Sequence, residues 1–392
     1  MTILASKRTP LIPLIICGLC VVMDGFDVQS MGYVAPAILR DWHIAKASLG
    51  PVFGAGLFGM LMGSLALSVV ADRIGRRPVL IGATLWFAAG TLLTTQVHTI
   101  EQLLLLRFLT GLGLGAIMPN AMALAGEQSP AGRRVTLMMR VSVGFTLGAV
   151  FGGLIAAVMI PRWGWASIFY VGGAVPLMIV VAMLRYLPES TAFLERARQN
   201  DSPVQALFND GRARSTTLLW IVNFLNLLNL YFLSNWIPTI TSGSGLSTSH
   251  AVLAGTTLQI GGTLGTLVMG QLVDRTSFRS VLVPAFAVAA VAIALIGRPA
   301  LPEVMLFGAI FVAGFGIVGG QPALNALAAE YYPTALRSTG IGWSLGIGRV
   351  GSIIGPVLGG VLIHWAWPNS SILLAVALPA AVSAGIVWMI SV

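Results

Sequence analysis

Charged side chains are scarce in this sequence. Aspartate, glutamate, lysine and arginine make up 9% of the 392 residues, whereas soluble domains contain about 25%. This shortage excludes a water-soluble globular protein. Hydrophobic residues account for 56% of the chain, and the mean hydropathy is +0.89. We therefore predict an integral membrane protein in a lipid bilayer, long enough for about twelve spanning helices at ~20 residues per helix.

Cysteine and histidine are rare as well. Cys17 and Cys20 are the only two cysteines and fall in the first apolar run, which favours buried thiols over a disulfide or a metal site. No metal-ligand cluster, nucleophile motif or cofactor loop is present, so we expect neither an enzyme nor a cofactor, and only the proton as coupling ion. The net charge of +9 fits positively charged cytoplasmic loops, so no nucleic-acid partner is expected. We expect a monomer.

Apolar runs predict an all-α membrane protein of twelve helices in two bundles of six. The runs fall near residues 11–34, 50–71, 79–97, 101–126, 137–160 and 165–187, and then near 216–240, 250–273, 281–298, 302–329, 339–363 and 369–391. The longest polar stretch separates the two sets. We therefore predict an N-terminal bundle over residues 1–187, a central cytoplasmic loop over 188–215 and a C-terminal bundle over 216–392.

The lysines and arginines fall mostly in one set of loops. If successive helices alternate in direction, the opposite set contains only Arg40, Lys46, Arg162 and Arg298. Cytoplasmic loops are the ones enriched in positive charge. Both termini and the central loop are therefore predicted to be cytoplasmic, in a multi-pass protein of the inner membrane.

The two halves share a pattern of charged residues and prolines. At an offset of 203 or 202 residues, each member of the first set reappears in the second: Pro119, Glu127, Pro130, Arg134 and Asp72-Arg73 become Pro322, Glu330, Pro333, Arg337 and Asp274-Arg275. Parallel repeats with a substrate site between them are typical of transporters. We therefore place the functional site between the halves.

The repeated Asp-Arg pairs lie in the loops ADRIGRRPV and LVDRTSFRS, after the second span of each half. An aspartate at a helix end, followed by arginines, can pair with neighbouring helix ends. We interpret these loops as a gate that changes between two arrangements, the alternative being ordinary cytoplasmic positive charge. The predicted gating residues are Asp72, Arg73, Arg76, Asp274 and Arg275.

Two carboxylates lie inside the first apolar run, in the stretch DGFDVQS. Asp24 and Asp27 are three residues apart, which places both on one face of a helix. An ionised carboxylate in hydrocarbon is costly and is rarely retained without a function. We predict a site that takes up and releases protons. The alternative is a break in the helix that leaves the pair in a solvated loop.

Two arginines in other apolar runs are candidate partners for anions. Arg107 and Asp27 lie at similar depths, about 9 and 10 Å from the outer ends of their helices at ~1.5 Å per residue. They are plausible partners, unless Arg107 extends its head group to the membrane surface. Arg349 lies roughly 15 Å from the inner end of its helix, near the middle of the membrane. A buried anion is expected beside it, and we assign it to the substrate carboxylate.

A stripe of amides follows the seventh run. Asn223, Asn226 and Asn229 are spaced by three residues, and Gln321 and Asn325 occupy one face of the tenth run. Such amides either bond between helices or offer hydrogen bonds to substrate hydroxyls, and both readings stay open. The full set of predicted substrate-binding residues is Arg349, Asn223, Asn226, Tyr231, Trp236, Gln321 and Asn325.

These motifs resemble those of a known family. The Asp-Arg loops are similar to the LADRxGRR signature of the major facilitator superfamily, and Arg107-x3-Gly111-x-Gly113-x-Gly115-x3-Pro119 resembles its fourth-helix motif. With DGFD in the first helix, the resemblance narrows to the aromatic acid:proton symporter family, which includes 4-hydroxybenzoate and benzoate transporters. It implies the major facilitator fold and functional importance for Asp24, Asp27, Asp72, Arg76, Arg107, Glu127 and Arg349. Of these, Asp24, Asp27, Arg107 and Glu127 are assigned to proton coupling.

The sequence and the resemblance together predict a secondary transporter that imports an aromatic carboxylate by proton symport and alternating access, in the breakdown of aromatic hydrocarbons. One alternative is a proton-coupled exporter of drugs or amphiphiles, although buried Arg107 and Arg349 would repel a cationic substrate. Another is an aromatic-acid receptor function in addition to transport.

Overall fold

The computed structural model describes residues 11–128, 134–189, 204–333 and 336–390, and it is all helical apart from the connections. Twelve of its helices are long and apolar enough to cross a membrane. They are α1 Leu11–Trp42, α2 Leu49–Ile74, α3 Arg76–Leu93, α4 Ile100–Glu127, α5 Arg134–Trp163, α6 Ala166–Tyr186, α7 Ala213–Gly243, α8 Thr248–Arg275, α9 Phe278–Ile296, α10 Glu303–Tyr331, α11 Arg337–His364 and α12 Asn369–Met389. The predicted all-α class and number of spans are confirmed.

Helix α1 runs without a break through the DGFDVQS stretch. Asp24 and Asp27 are therefore part of a membrane helix, and the alternative of a solvated loop is wrong. Residues 190–203 of the predicted central loop lie outside the described part of the chain. The short 3₁₀ helix Val204–Phe208 precedes α7, and the proposed boundaries at 187 and 216 stay predictions.

The packing of the helices repeats with a shift of six. Helix α1 packs on α5, α2 on α4 and α3 on α6, and likewise α7 packs on α11, α8 on α10 and α9 on α12. The first half, α1–α6, meets the second half, α7–α12, through α2 against α11, α5 against α8 and α1 against α7. The parallel repeat predicted from the charged residues and prolines is therefore present in the helix arrangement.

Glycines allow the closest of these helix pairs to form. A Cβ atom at Gly148 of α5 would overlap the carbonyl oxygen of Val22 in α1, and one at Gly63 of α2 would overlap that of Leu112 in α4. Association of membrane helices depends on close packing because lipid is as apolar as the helix surfaces. These glycines therefore bring α1 and α4, which contain the candidate charges, close to their neighbours.

The two halves touch at one end of the bundle. We call it the outer end, after the orientation predicted from charge; the odd-numbered helices finish there. Hydrogen bonds and ring contacts join the halves from Gln29 in α1 outward, and none of those between described residues lies at the inner end. At the outer end, Gly50 of α2 packs against Gly360 of α11. The structure is therefore closed at the end that the charge distribution predicts to be outer, which is the arrangement expected of an inward-facing transporter.

We expect Gly148→Ala to destabilise the protein because its methyl group would meet the backbone of α1. Overpacking of this kind costs about 1–3 kcal/mol or more. Gly82→Ala in α3 is the matched control, since a Cβ there meets nothing within 4 Å. Thermal unfolding of both variants in one detergent measures the effect. Equal stability of the two variants would contradict the packing described here.

Candidate functional site

Asp27 is completely buried in α1, and its carboxylate has two hydrogen-bond partners. Its Oδ2 accepts a hydrogen bond from Arg107 Nη2 of α4 at 2.9 Å, and its Oδ1 accepts one from Thr91 Oγ1 of α3 at 3.0 Å. The ion pair joins groups that the sequence placed at equal depth. A carboxylate in this position is neutralised and held by hydrogen bonds from two helices of its own half.

Arg107 points into the protein and not toward the membrane surface. Only 4% of the residue is exposed, and its guanidinium lies 6.0 Å from the ring centre of Phe169 in α6. The predicted alternative, an extended side chain reaching the outer surface, is therefore wrong. Among the described residues no group bonds its Nη1, so one arm of the guanidinium is left without a protein partner.

Asp24 lies one turn from Asp27 but in a different environment. It is 1% exposed, and neither carboxylate oxygen has a hydrogen-bond partner among the described residues. Arg349 of the second half and Asp27 are the charged groups near enough to act on it electrostatically. Asp24 therefore faces the boundary between the halves as a buried acid without a bonded cation.

Arg349 approaches this acid from α11. Its Nη1 donates to the hydroxyl of Tyr231 in α7 at 3.4 Å, and no described acidic residue forms an ion pair with it. Gly342 and Gly346 precede it on α11, and a Cβ at either position would meet only open space. A guanidinium has five N–H donors. Most donors of Arg349 therefore have no partner among the described residues.

The predicted amide stripe bonds mainly within the second half. Asn226 Nδ2 donates to Gln321 Oε1 of α10 at 2.8 Å, and Gln321 Nε2 donates to Asn223 Oδ1 and to Asn325 Oδ1, each at 3.0 Å. Asn229 pairs with the backbone of α12 in the amide orientation that satisfies both of its polar groups. Of the two readings left open by the sequence, the structure shows bonds between helices. The substrate contacts assigned to these amides stay predictions.

Trp236 belongs to the closed outer end. It is fully buried, its Nε1 donates to the carbonyl of Pro356 in α11 at 2.9 Å, and its ring meets Phe53 of α2 edge-on with centroids 5.2 Å apart. The Trp236 ring, which was predicted to contact substrate, is therefore covered by protein groups in this structure. Tyr231, five residues earlier, contacts Arg349 instead.

Sequence reasoning missed a second polar cluster at the boundary. Gln29 Nε2 of α1 donates to the carbonyl of Ser234 in α7 at 2.6 Å, and Gln259 Nε2 of α8 donates to Gln29 Oε1 at 3.2 Å and to Ser234 Oγ at 3.0 Å. Both ends of the Gln29 amide are therefore bonded by the opposite half. The sequence feature that could have indicated this cluster is Gln29, a polar residue two positions after Asp27 in an apolar run.

Of the predicted gating residues of the first half, Arg76 binds its own half. Arg76 forms an ion pair with Glu127 at the end of α4, and its backbone N–H donates to Glu189 Oε1 at 3.0 Å. Arg73 is exposed, and the side chain of Asp72 lies outside the described residues. Glu127, assigned to proton coupling, is thus engaged by the α2–α3 loop at the inner end, and its assigned role stays a prediction.

The repeat extends to an arginine that sequence reasoning did not single out. Arg77 Nη2 donates to the carbonyl of Leu184 near the end of α6, and Arg279 donates to that of Trp388 near the end of α12. Each half thus ties its third helix to the end of its sixth. Asp274 and Arg275 are exposed, and Asp274 lines an open cavity at the inner end together with Glu330 and Arg279.

The helix arrangement and the paired charges agree with comparisons to known proteins. A family model described as Major Facilitator Superfamily matches residues 17–297 and 219–391. The chain belongs to the Major Facilitator Superfamily. A solved D-xylose-proton symporter covers 97% of this chain, and the chain covers 98% of that structure, with a TM-score of 0.79 at 14% identity, which supports the same fold.

Two relatives within the superfamily share much more sequence. The 4-hydroxybenzoate transporter PcaK of Pseudomonas aeruginosa is 38% identical over 96% of this chain and 91% of the relative. The gallate transporter of Pseudomonas putida is 35% identical over 89% of this chain and 85% of the relative. These matches confirm the family resemblance drawn from the loop, fourth-helix and DGFD motifs. The chain is a multi-pass membrane transporter and not an enzyme.

A double-mutant cycle tests the Asp27–Arg107 pair. Removing one partner of a buried ion pair leaves an uncompensated charge and costs about 3–5 kcal/mol. We therefore expect Asp27→Asn and Arg107→Gln each to lower stability strongly, and the double variant to lose much less than the sum of the two. Thermal or denaturant unfolding of all four proteins measures the coupling. Strictly additive losses would show that the two side chains do not depend on each other.

Proposed function

We propose that this transporter imports an aromatic carboxylate of the benzoate or hydroxybenzoate type together with protons. The two relatives described above are named as transporters of 4-hydroxybenzoate and gallate, which are both aromatic acids. The observation that carries the proposal lies between the halves. There, Arg349 keeps donors without a partner among the described residues, and nearby Asp24 is a buried acid that none of these residues hydrogen-bonds.

Arg349 is the proposed clamp for the substrate carboxylate. A guanidinium binds a carboxylate through two parallel hydrogen bonds, which gives orientation as well as affinity. The Tyr231 hydroxyl already contacts one arm and fixes its direction. Because no hydrogen bond or ring contact between described residues joins the halves at the inner end, a bound acid can leave in that direction. Arg349 would repel a cationic drug, which argues against export of such compounds.

Protons supply the driving force in this proposal. An anion entering a negative cell interior is opposed by about 2.3 kcal/mol per 100 mV. One proton carried with it removes this penalty, and a second would drive accumulation. Asp24 is the first proposed carrier, because an ionised carboxylate without hydrogen-bond donors is unstable in an apolar interior. Asp27 is the second, and its proton uptake requires Arg107 to release it.

The proposal also includes the oligomeric state of the protein and its orientation in the membrane. The protein acts as a monomer in the inner membrane, and both termini and the central loop face the cytoplasm, as the distribution of lysine and arginine predicts. In alternating access the outer end then opens, and the inner end, where the Asp-Arg loops of both halves lie, closes.

Binding measurements test the assignment of Arg349. We expect benzoate-type acids to raise the thermal stability of the purified protein, because a ligand of the folded state stabilises it. Arg349→Lys keeps the charge but loses the planar fork. It should weaken acid binding by about 1.5–3 kcal/mol, on the order of ten- to a hundred-fold. The neutral amide of the same acid should bind the wild type poorly.

The control is Arg298→Lys, at an exposed arginine near the outer end that touches no proposed site. It should bind the acid as the wild type does. Equal dissociation constants for acid and amide on both the wild type and Arg349→Lys would show that Arg349 has a structural role only.

Transport measurements test Asp24. Asp24→Asn keeps the shape of the side chain but cannot titrate, so we expect loss of proton-driven accumulation in proteoliposomes while exchange of external for internal substrate continues. Asp41→Asn, at an exposed acid near the outer end of the same helix, should accumulate substrate normally. Wild-type accumulation by Asp24→Asn would remove Asp24 from the coupling mechanism.

A further inference from the structure

A small cavity lies on the boundary between the halves beside the Asp27–Arg107 pair. Its volume is about 20 Å³, and it is lined by residues of α1, α2 and α4 together with Asn235 of α7. A cavity needs roughly 10–15 Å³ to hold one water molecule, which also needs at least two polar partners. The space beside Arg107, which we call the Arg107 cavity, therefore has room for one water.

Two polar groups in the wall provide those partners. Arg107 lines the cavity, is 4% exposed and is bound to Asp27 through Nη2, while its Nε forms no hydrogen bond with a described residue. Asn235 donates through Nδ2 to the carbonyl of Tyr231 at 2.8 Å, and no described residue donates to its Oδ1. A water can accept from the guanidinium and donate to the amide oxygen. It would thereby bridge the first half to the second.

We propose that the Arg107 cavity is a water-binding site, in which one water molecule bridges Arg107 of the first half to Asn235 of the second half. Phe53 lines the cavity and also packs edge-on against Trp236. When the outer end opens, this contact separates and the cavity joins the outer solution.

The chain offers a variant that fills this cavity without a clash. Gly56 of α2 lines it, and a Cβ at Gly56 would lie 3.6 Å from the Arg107 carbonyl oxygen and 3.9 Å from Arg107 Nε, which is ordinary van der Waals contact. Gly56→Ala therefore places a methyl group where the water would lie. Gly82→Ala, on α3 in open surroundings, is the control.

Hydroxyl-radical footprinting with short X-ray pulses tests the water site on the purified full-length protein. Radicals form from water molecules, so a buried side chain is oxidised only where water lies beside it. Met31 and Met60 line the cavity although they are only 2% and 5% exposed, and Met183 and Met269, which are 0% and 1% exposed, do not line it. We expect oxidation of Met31 and Met60 several-fold faster than that of Met183 and Met269.

Gly56→Ala should reduce oxidation of Met31 and Met60 to the rate of the two buried controls, whereas Gly82→Ala should not. Wild-type rates for Met31 and Met60 no higher than for Met183 and Met269 would overturn the water site. So would rates that Gly56→Ala leaves unchanged. This measurement does not depend on any substrate, so it decides the water site even if the proposed function fails.

Discussion

A charge inside a membrane must find its partner within the protein, and this constraint organises the first half of the transporter. Asp27 accepts hydrogen bonds from Arg107 at 2.9 Å and from Thr91 at 3.0 Å, which lie on two other helices. These bonds require α1, α3 and α4 to approach closely at one depth. At the contact between α3 and α4, a Cβ at Gly113 would lie only 2.9 Å from the carbonyl oxygen of Ala83, so a glycine allows this close approach. Packing and electrostatics therefore depend on each other.

Asp24 and Arg349 show the opposite arrangement, and this difference gives the site its proposed chemistry. Each lies near the other across the boundary, yet neither forms an ion pair with a described residue. A substrate carboxylate would pair with Arg349, and a proton would neutralise Asp24. In this structure Asp27 and Arg107 neutralise each other, whereas Asp24 and Arg349 would be neutralised only by a proton and a bound substrate. We infer that coupling arises from this contrast.

Counting residues along the sequence was enough to predict the twelve helices, the repeat and the Asp27–Arg107 pairing, because depth in a membrane follows from position along a helix. It could not assign partners that depend on how helices rotate about their axes. The stripe of Asn223 and Asn226 meets Gln321, and Trp236 meets Phe53 and Pro356, for that reason. The bonds of Gln29 to the other half also required the tertiary arrangement.

The central claim is that protons enter with the aromatic acid, and the direction of proton movement tests it most directly. Purified protein is placed in vesicles with a trapped pH indicator, and 4-hydroxybenzoate is added outside without any imposed gradient. Protein-free vesicles correct for passive entry of the protonated acid. The account predicts saturable, protein-dependent acidification of the vesicle lumen during uptake. Uptake of the acid with no change in luminal pH, or with alkalinisation, would contradict proton symport.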